Sequence, residues 1–192
     1  MKIIFATKNK NKLKEIRAII GDVTSMEDAG IYDDVVEDGR TFEENALKKA
    51  RHIMKRTGHA SMADDSGLEI DFLNKEPGVD SALYMGRDTP YSIRNENLLK
   101  QLRHVPNEKR QARFVCVIAL VLPCGRSFTT RETLEGRIAK EAAGELGFGY
   151  DPIFFLPEAN KTLAELPPED KNAISHRGKA LRAMQKIMEE EL

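Results

Sequence analysis

Phe114-Val115-Cys116-Val117-Ile118-Ala119-Leu120-Val121-Leu122 is the longest apolar run in the chain. It is far too short to span a bilayer, which needs about 18 apolar residues or more. A continuous run without alternation fits a strand covered on both faces. Pro123-Cys124-Gly125 follows as a turn, and residues 126–138 read as its hairpin partner. Outward from this hairpin, the hydrophobic period switches between strand and helix. Residues 2–6 form a short buried strand. Leu13, Ile16, Ile19 and Ile20 then mark one helical face, closed by Gly21. Thr41-Phe42-Glu43-Glu44 is a capping box opening a helix to about Thr57, with Gly58 ending it. Strand-like pieces at 61–63 and 68–73 flank Asp64-Asp65-Ser66-Gly67. Ser92 is expected to cap a helix with Ile93, Leu98, Leu99 and Leu102 on its face. Residues 144–152 form a glycine-rich loop, and a last helix covers about 176–190. This order of elements argues one mixed α/β domain over residues 1–192.

The chain of 192 residues carries 30 Lys+Arg against 31 Asp+Glu, a formal net charge of -1. That balance excludes the broad positive field of a general duplex-nucleic-acid binder. Cys116 and Cys124 fit neither a disulfide framework nor a zinc knuckle, and Cys116 within the apolar run reads as a small buried hydrophobe. No signal core follows Met1-Lys2. The expectation is a soluble, reduced, cytoplasmic protein with no nucleic acid or membrane partner.

Four stretches can carry chemistry. Thr7-Lys8-Asn9-Lys10-Asn11-Lys12 lies at a strand-to-helix turn, where free backbone N–H groups and the helix dipole suit an anion. A polar cap with solvated lysines explains it as well. On the helix after Thr41, Phe42, Ala46 and Ile53 share a narrow arc at about 100° per residue. Lys49 projects into that arc, with Asn45 one turn before it; the lysine either snorkels or meets an anion. In Asp64-Asp65-Ser66-Gly67, a bend at Ser66-Gly67 is needed to converge the acids on Mg²⁺, with Glu37 as a further ligand. An Asx-type turn is the alternative. Finally, Phe148 in Phe148-Gly149-Tyr150-Asp151-Pro152 can stack on a base, and Asp151, Lys171, Ser175, His176 and Arg177 can read its edge. A core phenylalanine and a solvated helix cap explain the same residues.

At these motifs the chain resembles the inosine and xanthosine triphosphate pyrophosphatases, the house-cleaning enzymes for non-canonical purine nucleotides. The resemblance runs from Phe5-Ala6-Thr7 through Thr7, Asn9 and Lys12 to Thr41-Phe42 with Glu44-Asn45-Ala46. It continues through Asp64-Asp65-Ser66-Gly67-Leu68, Gln111-Ala112-Arg113-Phe114 and Gly147-Phe148-Gly149-Tyr150-Asp151-Pro152. It ends in Lys171 through Gly178. It implies an elongated mixed sheet with flanking helices, two lobes around a central nucleotide cleft, a homodimer and Mg²⁺ dependence. It also implies hydrolysis of a purine nucleoside triphosphate (ITP, dITP, XTP) to monophosphate and pyrophosphate. Thr7, Asn9, Lys12 and Lys49 would hold phosphates; Glu37 and Asp65 would bind the metal, with Asp65 also the base. Ser66, Phe148, Gly149, Tyr150, Asp151, Lys171, Ser175, His176 and Arg177 would bind the substrate, Phe148 by stacking on the purine. The sequence departs from the family pattern at Leu83, where an arginine is usual, and at Leu146, where a glycine is usual.

Two rivals remain at this level. A two-carboxylate glycosidase usually has an aromatic-lined sugar cleft, which aromatics at 6% and the absence of Trp disfavour. A non-catalytic nucleotide sensor or nucleic-acid binder built on the same pocket stays open from sequence, although its retention of the carboxylates would be hard to explain.

Overall fold

The apolar hairpin sits in the middle of the sheet. In the computed structural model, which describes residues 2–21 and 23–191, seven strands follow the order β2-β1-β3-β4-β5-β6-β7. These are β1 (Ile3–Phe5), β2 (Thr24–Ser25), β3 (Ala60–Ile70), β4 (Gln111–Val121), β5 (Ser127–Ile138), β6 (Phe154–Leu156) and β7 (Lys161–Thr162). β1 runs parallel to β2 and β3, whereas β5-β6 and β6-β7 are antiparallel, so the sheet is mixed. Met1, Asp22 and Leu192 lie outside the described residues, so the expected domain limits at 1 and 192 fall there too. The burial of β4 follows from its composition: Val115 to Leu120 are all fully buried, as a strand covered on both faces requires. Cys116 is among them, and burial pushes its thiol pKa up to about 12, so it acts as a small hydrophobe.

Among the described residues five α-helices flank the sheet: α1 (Lys10–Ile20), α2 (Phe42–Thr57), α3 (Tyr91–Gln101), α4 (Pro168–Ile174) and α5 (His176–Glu191). Local chemistry sets the ends of the first two. Asn9 caps α1, its side chain accepting from the N–H groups of Asn11 and Lys12, and Gly21 at φ 86 closes it. Thr41 accepts from the Glu44 N–H at 3.1 Å, but the Glu44 carboxylate reaches back to the N–H of Arg40, one residue beyond the expected capping box.

The chain divides into two compact units, each with its own core. The first comprises Met1–Ser66, Cys116–Glu132 and His176–Leu192; the second comprises Gly67–Val115 and Thr133–Ser175. In the first, Phe5, Ile16, Met62, Ile118, Leu181 and Met184 are buried together. In the second, Leu68, Leu98, Phe114, Tyr150 and Phe154 form the core, with Phe114 and Phe154 ring centroids 4.6 Å apart. No helix among the described residues is long and apolar enough to cross a membrane.

Two sequence expectations are corrected here. Ser92 does not cap α3; the cap is Pro90, and Ile93 is 47% exposed while Arg94 and Asn95 turn inward. The reason is the irregular stretch 81–89. Its carbonyls have no ladder partners, and the Arg94 guanidinium donates to those of Ser81, Ala82, Gly86, Arg87 and Thr89 at 2.8–3.2 Å. Second, β3 runs unbroken through Asp64-Asp65-Ser66-Gly67, where two strand pieces and a bend were expected.

Candidate active site

The unbroken β3 decides how its two acids are used. Side chains of a strand alternate between faces. Ala60 and Met62 pack with Ile16 of α1 and Leu181 of α5. Asp64 continues that face: its Oδ2 lies 2.9 Å from Lys12 Nζ of α1 and 3.2 Å from Arg177 Nη2 of α5. Asp65 points the other way, where Oδ1 lies 3.4 Å from Lys49 Nζ of α2. The acids therefore do not converge as a bent turn would make them, and the Asx-turn alternative falls with the bend.

Asp64 is fully buried and meets two cations at its Oδ2. Burial alone would raise its pKa, but Lys12, Arg177 and Lys49 outweigh burial and hold it far below the usual carboxylate range. Arg177 is also bonded to Glu15 and donates to Ser66 Oγ at 2.9 Å. Its own pKa is raised: burial acts against the charge, and Asp64 and Glu15 more than compensate. In the sequence reading Arg177 reads a base edge; in the structure its guanidinium is bonded to carboxylates and to Ser66.

Asp65 differs. Burial is the largest influence on its carboxyl and raises its pKa; Lys49 and Lys12 act against this, Glu37 and Asp64 with it. Its Oδ2 is buried and has no hydrogen-bond partner among the described residues. Lys49 also pairs with Glu37 at 2.6 Å. Burial alone would lower the lysine pKa, but Asp65, Glu37 and Asp64 raise it overall. So Lys49 does not snorkel: its stem lies along the buried Phe42, Ala46 and Ile53 face and its ammonium meets two acids. Glu37 is brought there by residues the sequence reading did not assign to the site. The Asn45 carboxamide is buried and accepts from Gly39 N–H at 2.8 Å. A side chain on Gly39 would lie 2.6 Å from Asn45 Oδ1, so only glycine allows this approach. The one-turn spacing of Asn45 and Lys49 was the available signal.

Thr7 and Asn9 shape the turn before α1. Thr7 Oγ1 accepts from Asn9 N–H at 3.2 Å, and Asn9 Oδ1 is the helix cap. Lys8 instead reaches the Tyr32 carbonyl and Asp34. His176 opens α5 and is buried.

In the second unit, Lys171 and Asp151 form a buried pair at 2.6 Å, and the same Asp151 oxygen accepts from Phe148 N–H at 2.8 Å. The Lys171 ammonium sits 4.7 Å from the Phe148 ring centroid. Phe148, Asp151 and Lys171 are thus one assembly. Gly147 permits it: its φ is +72, and a Cβ there would collide with Asp151 Oδ2. Asn95 Nδ2 donates to Gly149 O at 3.1 Å, an anchor that the apolar pattern of α3 concealed. The Tyr150 side chain is buried, its hydroxyl donating to Ser81 O at 2.7 Å, so it serves the core. Ser175 ends α4, its N–H donating to Lys171 O at 2.8 Å. Leu83 is 43% exposed on the stretch that Arg94 holds, and Leu146 is 46% exposed at the head of the Phe148 loop.

Among the described residues no group of three or more His, Cys, Asp or Glu forms a self-sufficient metal cluster. Two carboxylates with one spare buried oxygen suit a hard cation that keeps waters and takes its remaining ligands from a phosphate. Fold and site together define an α/β protein with a mixed sheet and a buried carboxylate–ammonium centre.

The Ham1 family model matches residues 3–187. The chain is 46% identical over 193 residues to the dITP/XTP pyrophosphatase of Clostridium perfringens, spanning 95% of both chains. It is 48% identical over 184 residues to that of Geobacter sulfurreducens, spanning 94% of this chain and 92% of that one. The Staphylococcus aureus Ham1 protein superposes with a TM-score of 0.90 at 39% identity over 100% of both chains. This chain belongs to the Ham1 family.

Proposed function

We propose that the protein hydrolyses non-canonical purine nucleoside triphosphates (dITP, XTP and ITP) to the monophosphate and pyrophosphate, with Mg²⁺ as cofactor. The observation that carries this reading is the buried Asp65 carboxylate, with one oxygen facing Lys49 and the other without a partner among the described residues. Glu37 and Asp65 would hold the cation. When bound, it would offset charge on the phosphoryl oxygens in the transition state. Asp65 takes the proton of the attacking water at its Oδ2, the buried oxygen without a partner among the described residues. Lys12 and Lys49 receive phosphate charge at the turn shaped by Thr7 and Asn9. Lys12 and Arg177 keep Asp64 ionised beside that turn, and Ser66 accepts from Arg177.

Phe148 supplies a stacking face for the purine, and the Lys171 ammonium over the opposite side of that assembly holds the ring in place with Asp151. Gly149 gives the loop its backbone freedom, and Tyr150 anchors it. Ser175 and His176, at the junction of α4 and α5, donate to the 6-keto oxygen that inosine and xanthosine share. The family relation also underlies a homodimer and a cytoplasmic setting as parts of this proposal.

The test is pyrophosphate release from dITP, XTP and dATP, with and without Mg²⁺, by wild type and Asp65→Asn. Release from dITP and XTP that needs both Mg²⁺ and Asp65 supports the reading. Metal-independent release, or equal turnover of dATP, overturns it.

A further inference from the structure

The Lys49 ammonium lies where a cation shared by Glu37 and Asp65 would be, 2.6 Å from Glu37 Oε2 and 3.4 Å from Asp65 Oδ1. We infer that Lys49 is an internal counter-cation, which holds the two carboxylates together in the metal-free protein and is displaced by the divalent cation. This rests on the proposed metal role of Glu37 and Asp65.

Three features support exchange over a permanent ion pair. First, the charges do not close: one ammonium faces two carboxylates, and Asp65 Oδ2 is left buried without a partner among the described residues. A dication at the same place would satisfy both acids. Asp64, by contrast, faces two cations, Lys12 and Arg177, at its Oδ2. Second, the group is built to move. An ammonium is a point charge with rotatable donors, unlike the rigid fork of arginine. The Lys49 stem is fixed on the apolar face of α2, while the Glu37 side chain is 42% exposed and carried by a loop. Third, the displaced ammonium has a destination. A cation entering with a nucleotide brings the phosphates, and Lys49, tethered beside Asp65, can turn to them without leaving its helix. The exchange conserves the arrangement: the carboxylates trade one cation for another, and the lysine trades carboxylate for phosphate.

The competition sets a direction opposite to that of a merely organising lysine. Mn²⁺ binding, read from the free-ion electron paramagnetic resonance signal without nucleotide, is measured for wild type, Lys49→Met, Lys49→Arg and Asp65→Asn. Removing a unit charge from contact distance should tighten binding by about tenfold or more in Lys49→Met, even with the screening of water. Lys49→Arg should bind no more tightly than wild type, and Asp65→Asn should lose binding. Equal or weaker binding by Lys49→Met, with binding still lost in Asp65→Asn, overturns the inference and leaves the metal reading standing. Undiminished binding by Asp65→Asn overturns the metal reading, and this inference with it. Should Lys49→Met fail to fold, labelling of Lys49 by an amine reagent in the wild-type protein decides. Mg²⁺ should raise its reactivity several-fold over that of exposed lysines, and an unchanged reactivity overturns the inference.

Discussion

Asp64 and Asp65 are adjacent in β3 and have different partners: Asp64 is bonded to Lys12 and Arg177 on one face of the strand, Asp65 to Lys49 on the other. The strand's alternation thus separates a carboxylate paired with two cations from the one proposed to act in catalysis.

Isosteric substitution should separate the two roles. Asp65→Asn is expected to melt near the wild-type temperature and to lose roughly 10²–10⁴-fold in turnover, the usual share of a general base. Asp64→Asn leaves the buried Arg177 and the half-buried Lys12 without their shared anion, which costs about 3–5 kcal/mol for a broken buried pair. Calorimetry alongside pyrophosphate release checks both; equal loss of stability in the two variants would refute the division of labour.

Acid stability should reflect depressed carboxyls, among them Asp64 in the first unit and Asp71 in the second. Asp64 is held far below its ordinary 3.8, burial being outweighed by Lys12 and Arg177. Asp71 is lowered to about 2, chiefly by the hydrogen bond from Arg113 and then by that from Lys75. A group whose folded pKa lies below its unfolded one stabilises above the unfolded value and loses that contribution as pH falls towards the folded one. Stability should therefore decline as pH drops from 3.8 through about 2. Asp71→Asn should flatten the slope in this window. Denaturant melts between pH 5 and pH 2 measure it, and an unaltered slope would count against the Arg113 pairing.

Gly147→Ala should damage the Phe148 assembly. The added methyl meets Asp151 Oδ2 at a positive φ, so the Lys171–Asp151 pair and the Phe148 N–H bond must shift. Backbone strain of this kind costs of order 1–3 kcal/mol. The expected signature is a KM for dITP raised about tenfold or more, since about 1.4 kcal/mol of lost binding corresponds to tenfold. An unchanged KM would show that the assembly does not touch substrate.

The loop carrying Glu37 should respond to salt. Beside the Asn45–Gly39 bond it is held by pairs near the surface: Asp28 to Arg17 at 2.8 Å, Asp34 to Lys8 at 2.7 Å, Asp33 to Arg56 at 3.0 Å, and Asp38 to Lys48. Tyr32 and Val36 contribute little burial, at 70% and 67% exposed. At about 1 M salt the screening length falls to about 3 Å. Amide exchange across residues 32–38 should then quicken while that of the buried face of α2 does not. Equal protection at low and high salt would mean that packing, not charge, holds the loop.

The sequence by itself determined the features whose causes are local. The apolar run of β4 needed cover on both faces whatever its neighbours. Asn9, Gly21, Thr41 and Gly58 ended α1 and α2 through hydrogen bonds within a few residues. The arc of Phe42, Ala46 and Ile53 placed Lys49 on a buried face before any partner was known.

Only the tertiary structure decided the rest, because the partners lie far apart in the chain. Asp-Ser-Gly has a turn propensity worth little more than one hydrogen bond, about 1 kcal/mol. It is overruled because β3 continues through it as a strand beside β4, and each acid finds cations from a different helix. Arg177 is drawn to Asp64 across 113 residues, and Arg94 turns inward for carbonyls that no helical pattern could announce. Local sequence fixed where side chains could point; long-range charge pairing fixed what they met there.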